Sequence, residues 1–504
     1  MDEAAASADH QTSLRRAVES HAAGRPEEAR RLCSAILQAA PSHPGALHLL
    51  GMLSLSAGAG AEAFDLLRRA AEYDPKNPLV LNNLGCALQA LHRFEEAISC
   101  HRAAIECAPG MVAAEMNLAL ALDALDRHAE AEAGFRRATQ LRPDLAHAWT
   151  RLGGTLLQQN RPDEAIPCYR RALALDPQSQ QAELNLLVAL LTAGDFRQAW
   201  PAYEARWRLK PELRQSPAAQ RAPLWLGGAD IAGATILLHA EQGLGDTIQF
   251  ARYAPMVAER GATVLLEVLP GLRPLFAGMQ GVAAVFERGD ALPDFAWQCP
   301  LMSLPLAFGT DLGNIPATIP YVAADSARVA AWQNRLGPRT CPRIGLAWSG
   351  SPEHPNDAHR SIALADLAPL LGRAEVSFHC VQRSVRAVDA KTAIGIPGLA
   401  THEAALSDWG ETAALLMLMD LVIAVDTSVA HLAGALGRPV WLMLPFRADW
   451  RWLLHRADSP WYPGMRLFRQ QEPGSWDGVL AEVGQALASA DPGRLEHIRR
   501  WRSS

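Results

Sequence analysis

Apolar positions in the first part of the chain recur at helical spacing, as in Leu84, Leu88 and Leu91 or Leu118 and Leu122, with polar residues between them. Such stripes predict amphipathic helices that each bury one face on a neighbour. From Ala234 the pattern changes. Short apolar runs (ATILLHA, TVLLEVL, then IGLAWSG after Arg343, VSFHCVQ, LVIAV and VWLML) alternate with helical stretches near 247–260, at LADLAPLLG and near 412–419. Strands alternating with helices predict parallel sheets covered on their faces. Two α/β halves are expected, over 234–330 and 340–485. Ligands of such sheets lie at strand C-terminal ends, so two facing halves predict a site in the cleft between them.

The helical part is internally repetitive. Ala29, Ala63, Ala97, Ala131, Ala165 and Ala199 follow one another at 34-residue steps, as do Pro41, Pro75, Pro109, Pro143, Pro177 and Pro211. Gly51, Gly85, Ala119 and Gly153 mark a third register. Small residues let paired helices approach, and each proline ends a helix it cannot continue. The step and the residue types are those of the tetratricopeptide repeat. Six helix pairs fit within 11–211. The Pro- and Gly-containing stretch 212–233 is expected to be a linker, and 486–504 a C-terminal helix or tail. A solenoid of this kind offers a concave surface to a protein or peptide. A spacer or dimerisation element, giving a homo-oligomer, is the alternative. Asn82, Asn83, Asn117 and Asn185 recur near one helix position, where amides suit an extended peptide backbone and equally suit a solvated helix face.

Composition narrows the function classes. At 504 residues, 49% hydrophobic and 20% charged, the chain is globular and too long for one core. A net charge of -6 gives no basic footprint for nucleic acid. The start, MDEAAASADH, lacks the features of a secretory signal, and the apolar stretch 413–425 is short and carries Asp420, so no membrane span and a cytoplasmic location are expected. The eight cysteines show no CxxC spacing and read as reduced, mostly buried thiols.

Two stretches carry candidate chemistry. In HAEQGLGDTIQF, Gly243 and Gly245 lie in the turn after the first strand, and Asp246 stands at the start of a helix. Glycines there admit a ligand close to backbone amides. Asp246 reads either as a helix cap or as a catalytic carboxylate. In DLVIAVDTSVAHLAGALGRPVWLML a buried strand ends at Val425, the turn is formed by Asp426, Thr427 and Ser428, and a helix runs to Leu436 with Gly437 as its stop. The amides of Ser428, Val429 and Ala430 are expected to point out of that helix end, an arrangement suited to a diphosphate. Capping by Thr427 or Ser428 is the simpler alternative. His354 and His359, near Glu353 and Asp357, match no metal-ligand spacing, so no metal is expected. Trp450, Trp452, Trp461, Tyr462 and Phe468 read as core or interface anchors, with stacking on a nucleobase or sugar as the alternative.

Together GLGDTIQF and VDTSVAHLAGALGRPVWLMLP resemble the paired motifs of the heptosyltransferase-like family of inverting glycosyltransferases, whose members transfer heptose from ADP-heptose in lipopolysaccharide synthesis. The resemblance covers about 234–468. Repeats followed by such a region are similar in layout to O-linked N-acetylglucosamine transferases. The resemblance implies an all-α tetratricopeptide solenoid followed by an α/β GT-B fold of two Rossmann-like lobes. It implies a nucleotide diphosphate sugar as donor substrate and no cofactor. Asp246 matches the family's general base. Asp426, Thr427, Ser428, Val429 and Ala430 match the diphosphate turn, with His431 beside it. Ser349, Gly350 and Ser351 follow the first strand of the second half, Arg360 and Ser361 fall where relatives carry a basic residue near phosphate, and Gln382 and Arg383 fall where the nucleoside is contacted. The first half is short for a lipid-linked acceptor, so the expectation is transfer to a protein or glycan hydroxyl. The rival is a non-catalytic repeat scaffold whose α/β part binds a nucleotide or is degenerate.

Overall fold

The computed structural model describes residues 2–209, 221–373, 375–396 and 398–489. Two compact units divide it, Met1–Ala189 and Leu190–Ser504. The expected linker residues 212–220 and the tail beyond 489 lie outside the described residues.

The first unit is a succession of paired helices: Asp2–Ala22 with Pro26–Ala39, Pro44–Ser56 with Gly60–Tyr73, Pro78–Ala90 with Phe94–Cys107, Val112–Asp123 with His128–Leu141, and Ala146–Gln158 with Pro162–Leu175. Pro26, Pro44, Pro78 and Pro162 sit in first turns, where no amide is needed. The first helix starts earlier than the expected residue 11. The small-residue register works by contact. A Cβ added at Gly51 would stand 2.6 Å from Leu67, at Gly85 2.5 Å from His101, and at Gly153 2.8 Å from Tyr169. Leu67, His101, Phe135 and Tyr169, one repeat apart, are all fully buried. Each large side chain therefore fills the gap that a small one opposite leaves.

A fourth register appears only in the backbone. Gly24, Gly58, His92, Asp126, Asn160 and Gly194 all have positive φ, between 56° and 76°. Each closes the turn inside a helix pair, where the chain reverses in too few residues for an extended path.

The second unit begins inside the helix Gln180–Ala193 rather than after residue 211. The helix Phe196–Tyr203 is sequestered with the α/β part: Trp200 is buried and donates its indole N–H to the Thr310 carbonyl at 2.9 Å. Nor is 221–233 a free linker. Leu224 bridges Gln298, the Trp225 amide donates to the Gln298 carbonyl at 2.9 Å, and Trp225 and Ile231 are buried.

Two parallel sheets follow. The first contains β1 (Thr235–His239), β2 (Thr263–Val268), β3 (Val282–Glu287) and β4 (Trp297–Pro300), in the order β3-β2-β1-β4. The second contains β5 (Arg343–Ala347), β6 (Ser377–Cys380), β7 (Leu399–Ala400), β8 (Leu421–Val425), β9 (Val440–Leu444) and β10 (Met465–Arg469), in the order β10-β9-β8-β5-β6-β7. Every residue of β5, β8 and β9 is buried, as central strands covered on both faces require. The order reverses between β5 and β8, whose Ala347 and Ala424 are paired. That is a topological switch point, and the crevice outside the carboxyl ends of those two strands is where a ligand of such a sheet binds.

Candidate active site

Three chain segments meet at the switch point and across from it: the turns after β1, β5 and β8. After β1, the helix Leu244–Phe250 starts at Gly243. Asp246 reaches back to accept the Gly243 amide at 2.9 Å through Oδ2, so the capping role is realised. Its Oδ1 accepts from the Arg451 guanidinium. Arg451 lies in the one-turn helix Trp450–Trp452 beyond β9 and is 9% exposed. It also donates to Gln249 at 2.7 Å and to Asp449 at 2.9 Å, and lies over the Trp450 ring at 4.4 Å. Burial opposes its charge, but Asp449 and Asp246 outweigh burial and hold its pKa above the ordinary value. Sequence reading singled out neither Arg451 nor Asp449. Nothing local marks an arginine whose partner is 205 positions away.

Gly245 serves a helix contact. A Cβ there would stand 2.9 Å from His431 Cδ2, so the helices Leu244–Phe250 and Ser428–Ala435 touch at this point. His431 is accordingly packed: its Nδ1 bonds the Tyr462 hydroxyl at 3.0 Å and its ring stacks on Trp452 at 5.3 Å. Burial, then Arg451, Arg252 and Arg360, press its pKa well below the usual imidazole value, so the ring is neutral. Trp452, Trp461, Tyr462 and Phe468 are buried, as core and interface anchors are.

After β5, Gln382 fixes the loop. Its Oε1 accepts the Trp348 and Ser349 amides at 2.6 and 3.0 Å, and its Nε2 donates to Ser349 Oγ at 3.1 Å. The Gln382 amide thus holds protein. A Cβ at Gly350 would stand 2.6 Å from Arg360 Nη2, so the bare backbone makes room for the guanidinium. Arg360 donates to the Asp426 carbonyl at 2.9 Å, and its Nε has no hydrogen-bond partner among the described residues. Ser361 accepts the Gly350 amide at 3.2 Å and donates to Asp357 at 2.8 Å, and Arg386 braces Asp357 and the Gly350 carbonyl. Arg383 is turned to the Leu406 and Ser407 carbonyls, at 3.2 and 2.7 Å.

After β8, Thr427 caps the helix Ser428–Ala435 by backbone alone, with extended φ and ψ and no side-chain cap bond. Its hydroxyl is buried and has no partner among the described residues. Ser428 and Val429 occupy the first turn, where amides find no intrahelical acceptor. The Ala430 amide, expected to be free, donates to the Thr427 carbonyl at 3.0 Å. The tightened first turn therefore engages one of the three amides expected to be free. Burial and the nearby Asp449 raise the Asp426 carboxyl to about 6, against Arg360 and Arg451, which lower it. His354 in the β5 loop is shifted down by burial and Arg360 while Asp449, Asp357 and Asp246 oppose this. Arg360 and the buried Thr427 hydroxyl thus adjoin the turn before the helix Ser428–Ala435, and the helix that holds Asp246 packs on that helix at Gly245.

Among the candidate peptide-gripping asparagines, Asn82 is buried and its Oδ1 accepts from Asn117 at 3.0 Å and from His101 at 3.1 Å, while Asn83 bonds His48 at 2.8 Å. Asn185 accepts from Gln181 at 2.8 Å. These amides are engaged chiefly with one another and with neighbouring histidines.

Comparison with known proteins finds tetratricopeptide repeat models at residues 20–85, 82–146 and 146–179, so the chain carries these repeats. The protein FlbA of Caulobacter vibrioides is 27% identical over 305 residues, covering 54% of this chain and 50% of its own length; the chain thus spans about half of that curated relative. Among solved structures, a thermophilic tetratricopeptide repeat protein of Thermus thermophilus is 26% identical, over 36% of this chain and 99% of that one, with a TM-score of 0.31. PilF of Pseudomonas aeruginosa is 20% identical, over 41% and 94%, with a TM-score of 0.38. Among the described residues, no helix is long and apolar enough to cross a membrane.

Proposed function

We propose that the α/β part is a two-lobed GT-B glycosyltransferase that moves a sugar from a nucleotide diphosphate sugar to a protein or glycan hydroxyl, with inversion and without a metal. The observation that carries this reading is the grouping of Arg360, the Thr427 hydroxyl and the Ser428 and Val429 amides at the β5–β8 switch point. A diphosphate seated there is met by a guanidinium, which neutralises the leaving group as a divalent ion otherwise would. Asp246, on the turn of the other sheet, takes the acceptor proton as the hydroxyl attacks the anomeric carbon opposite the departing diphosphate. Each carboxylate oxygen keeps a second lone pair beyond the bonds to Gly243 and Arg451. The repeats offer the surface for a protein acceptor.

The engagement of Asp246 by both partners also favours a second reading, in which the carboxylate only caps its helix and the unit binds a nucleotide without turnover. Replacing Asp246 with Asn separates the two. An amide oxygen still accepts the Gly243 amide, so the transferase reading expects nucleoside diphosphate affinity to persist while transfer falls roughly a hundredfold to ten-thousandfold. Thermal shift with UDP, ADP and GDP measures the first, and diphosphate release from their sugars the second. Equal turnover in both proteins would remove Asp246 from the chemistry. A wild type that is stabilised by a nucleoside diphosphate yet never releases one would select the second reading.

A further inference from the structure

The turn carrying Asp246 is held from behind by two residues that follow the repeat pattern. Tyr203, at the end of the helix Phe196–Tyr203, accepts the Gln242 side-chain amide at 2.6 Å. Arg206 meets both oxygens of Glu241, at 3.2 and 3.0 Å, and donates to Glu204 at 2.6 Å and Ser303 at 2.7 Å. The side chains of Arg206 and Glu241 are 4% and 1% exposed. Glu241 and Gln242 directly precede Gly243, whose amide fixes Asp246. The same helix reaches the other half of the Asp246–Arg451 pair, since Trp200 and Phe196 pack on Trp450 with ring centroids at 5.6 and 5.8 Å.

A buried, bidentate ion pair is a poor source of stability, because taking both charges out of water offsets their attraction. What such a pair supplies is a fixed direction, as a planar guanidinium accepts a carboxylate in few orientations. Burial, with Glu204 and Asp246 adding to it, raises the Glu241 carboxyl to about 7 in spite of Arg206. A bond from a phenol to the neighbouring Gln242 fixes a second point of the same short turn.

We infer that Tyr203 and Arg206 are positioning residues for Asp246, so that the helix Phe196–Tyr203, although in the repeat register, belongs to the reaction machinery. The inference rests on the transferase reading and deepens it. Neither residue touches substrate. They act through Glu241 and Gln242.

The test uses the full chain with Tyr203→Phe, which keeps the ring and loses the hydroxyl, and Arg206→Lys, which keeps the charge and loses the fork. Turnover is read as nucleoside diphosphate release from UDP-glucose, ADP-glucose and GDP-mannose, affinity by titration with UDP, ADP and GDP, and the turn by amide hydrogen exchange over 243–246. Displacement of a catalytic group by a fraction of an ångström reduces kcat by about tenfold or more. The expected result is that loss in both variants, with donor KM and nucleoside diphosphate affinity within about twofold of wild type and faster exchange confined to the turn. Unchanged exchange over 243–246 overturns the positioning role whether or not any donor turns over, and so does unchanged kcat. Affinity falling in step with kcat also overturns it, because that marks a general loss of structure. A wild type that binds none of the three diphosphates overturns the transferase reading instead, and exchange still reports on the turn.

Discussion

Arg451 and Asp246 form an ion pair that ties the segment beyond β9 to the helix beyond β1, with Asp449 and Gln249 completing the guanidinium's partners. Replacing Arg451 with Met leaves two carboxylates close together without a counter-charge. Removing one partner of a buried pair costs roughly 3–5 kcal/mol, and the 20% exposure of Asp246 places this case near the lower figure. Urea unfolding of the full chain is expected to show a loss of about 3 kcal/mol, partly recovered when Asp246→Asn is added. A loss below about 1 kcal/mol would mean that the pair behaves as an exposed one.

The positive-φ register of the repeats makes a separate prediction. His92 holds φ at 58°, which costs an L-residue roughly 1–2 kcal/mol relative to glycine. Part of that relief is lost to the greater freedom of an unfolded glycine and to the edge contact of His92 with Phe94. His92→Gly is therefore expected to stabilise by about 0.5 kcal/mol, and Gly58→Ala, at φ 76° with open space around its Cα, to destabilise by about 1 kcal/mol. Thermal melts of the two variants should move in opposite directions. Movement in the same direction would show that side-chain contacts rather than backbone conformation govern these turns.

That register also shows what the sequence makes legible and what it hides. The Gly51, Gly85 and Gly153 positions were readable because one steric demand, closeness to Leu67, His101 and Tyr169, selects one kind of residue. The turn position is met by Gly, His, Asp or Asn, so no residue type announces it. In the α/β part the buried central strands β1, β2, β5, β6, β8 and β9 stood out as apolar runs. β3 (VAAVFE) carries a short apolar run although its residues are only partly buried or exposed, as an edge strand allows, and β7 has two residues, too few for any run. The turns holding Asp246 and Thr427 were visible as motifs. Arg451, Tyr203 and Arg206 were not, because their partners are distant in sequence, and the Ala189–Leu190 boundary falls inside a helix that still follows the repeat pattern.

Acid is expected to act on the repeats through His101. Burial lowers its pKa from 6.5 to about 4, its Nδ1 donates to Asn82, and Nε2 has no partner among the described residues. The folded state thus favours the neutral ring. Its contribution is complete above pH 6.5 and is lost as the pH falls from there to about 4, since the unfolded chain takes the proton first. At about 1.4 kcal/mol per pKa unit the full loss is about 3 kcal/mol. His101→Phe, which places in this repeat the residue found at Phe135, should flatten that part of the stability–pH curve relative to wild type. Parallel curves for the two proteins between pH 6.5 and 4 would exclude His101 as the source.

Thr427 separates a structural hydroxyl from a ligand-binding one by the sign of two effects. Its side chain is buried, caps nothing, and has no hydrogen-bond partner among the described residues. A buried hydroxyl left unpaired costs roughly 1–3 kcal/mol, so the near-isosteric Thr427→Val should make the free protein more stable, by about 1 kcal/mol. If the hydroxyl is kept for a diphosphate between Arg360 and the Ser428 and Val429 amides, the same substitution removes a donor to a charged group and weakens nucleoside diphosphate binding by about tenfold. Thermal melting without ligand and titration with UDP, ADP and GDP measure the two quantities independently. A variant that melts higher and binds as wild type does would detach Thr427 from the anion site. One that melts lower would show that its hydroxyl serves the folded protein itself.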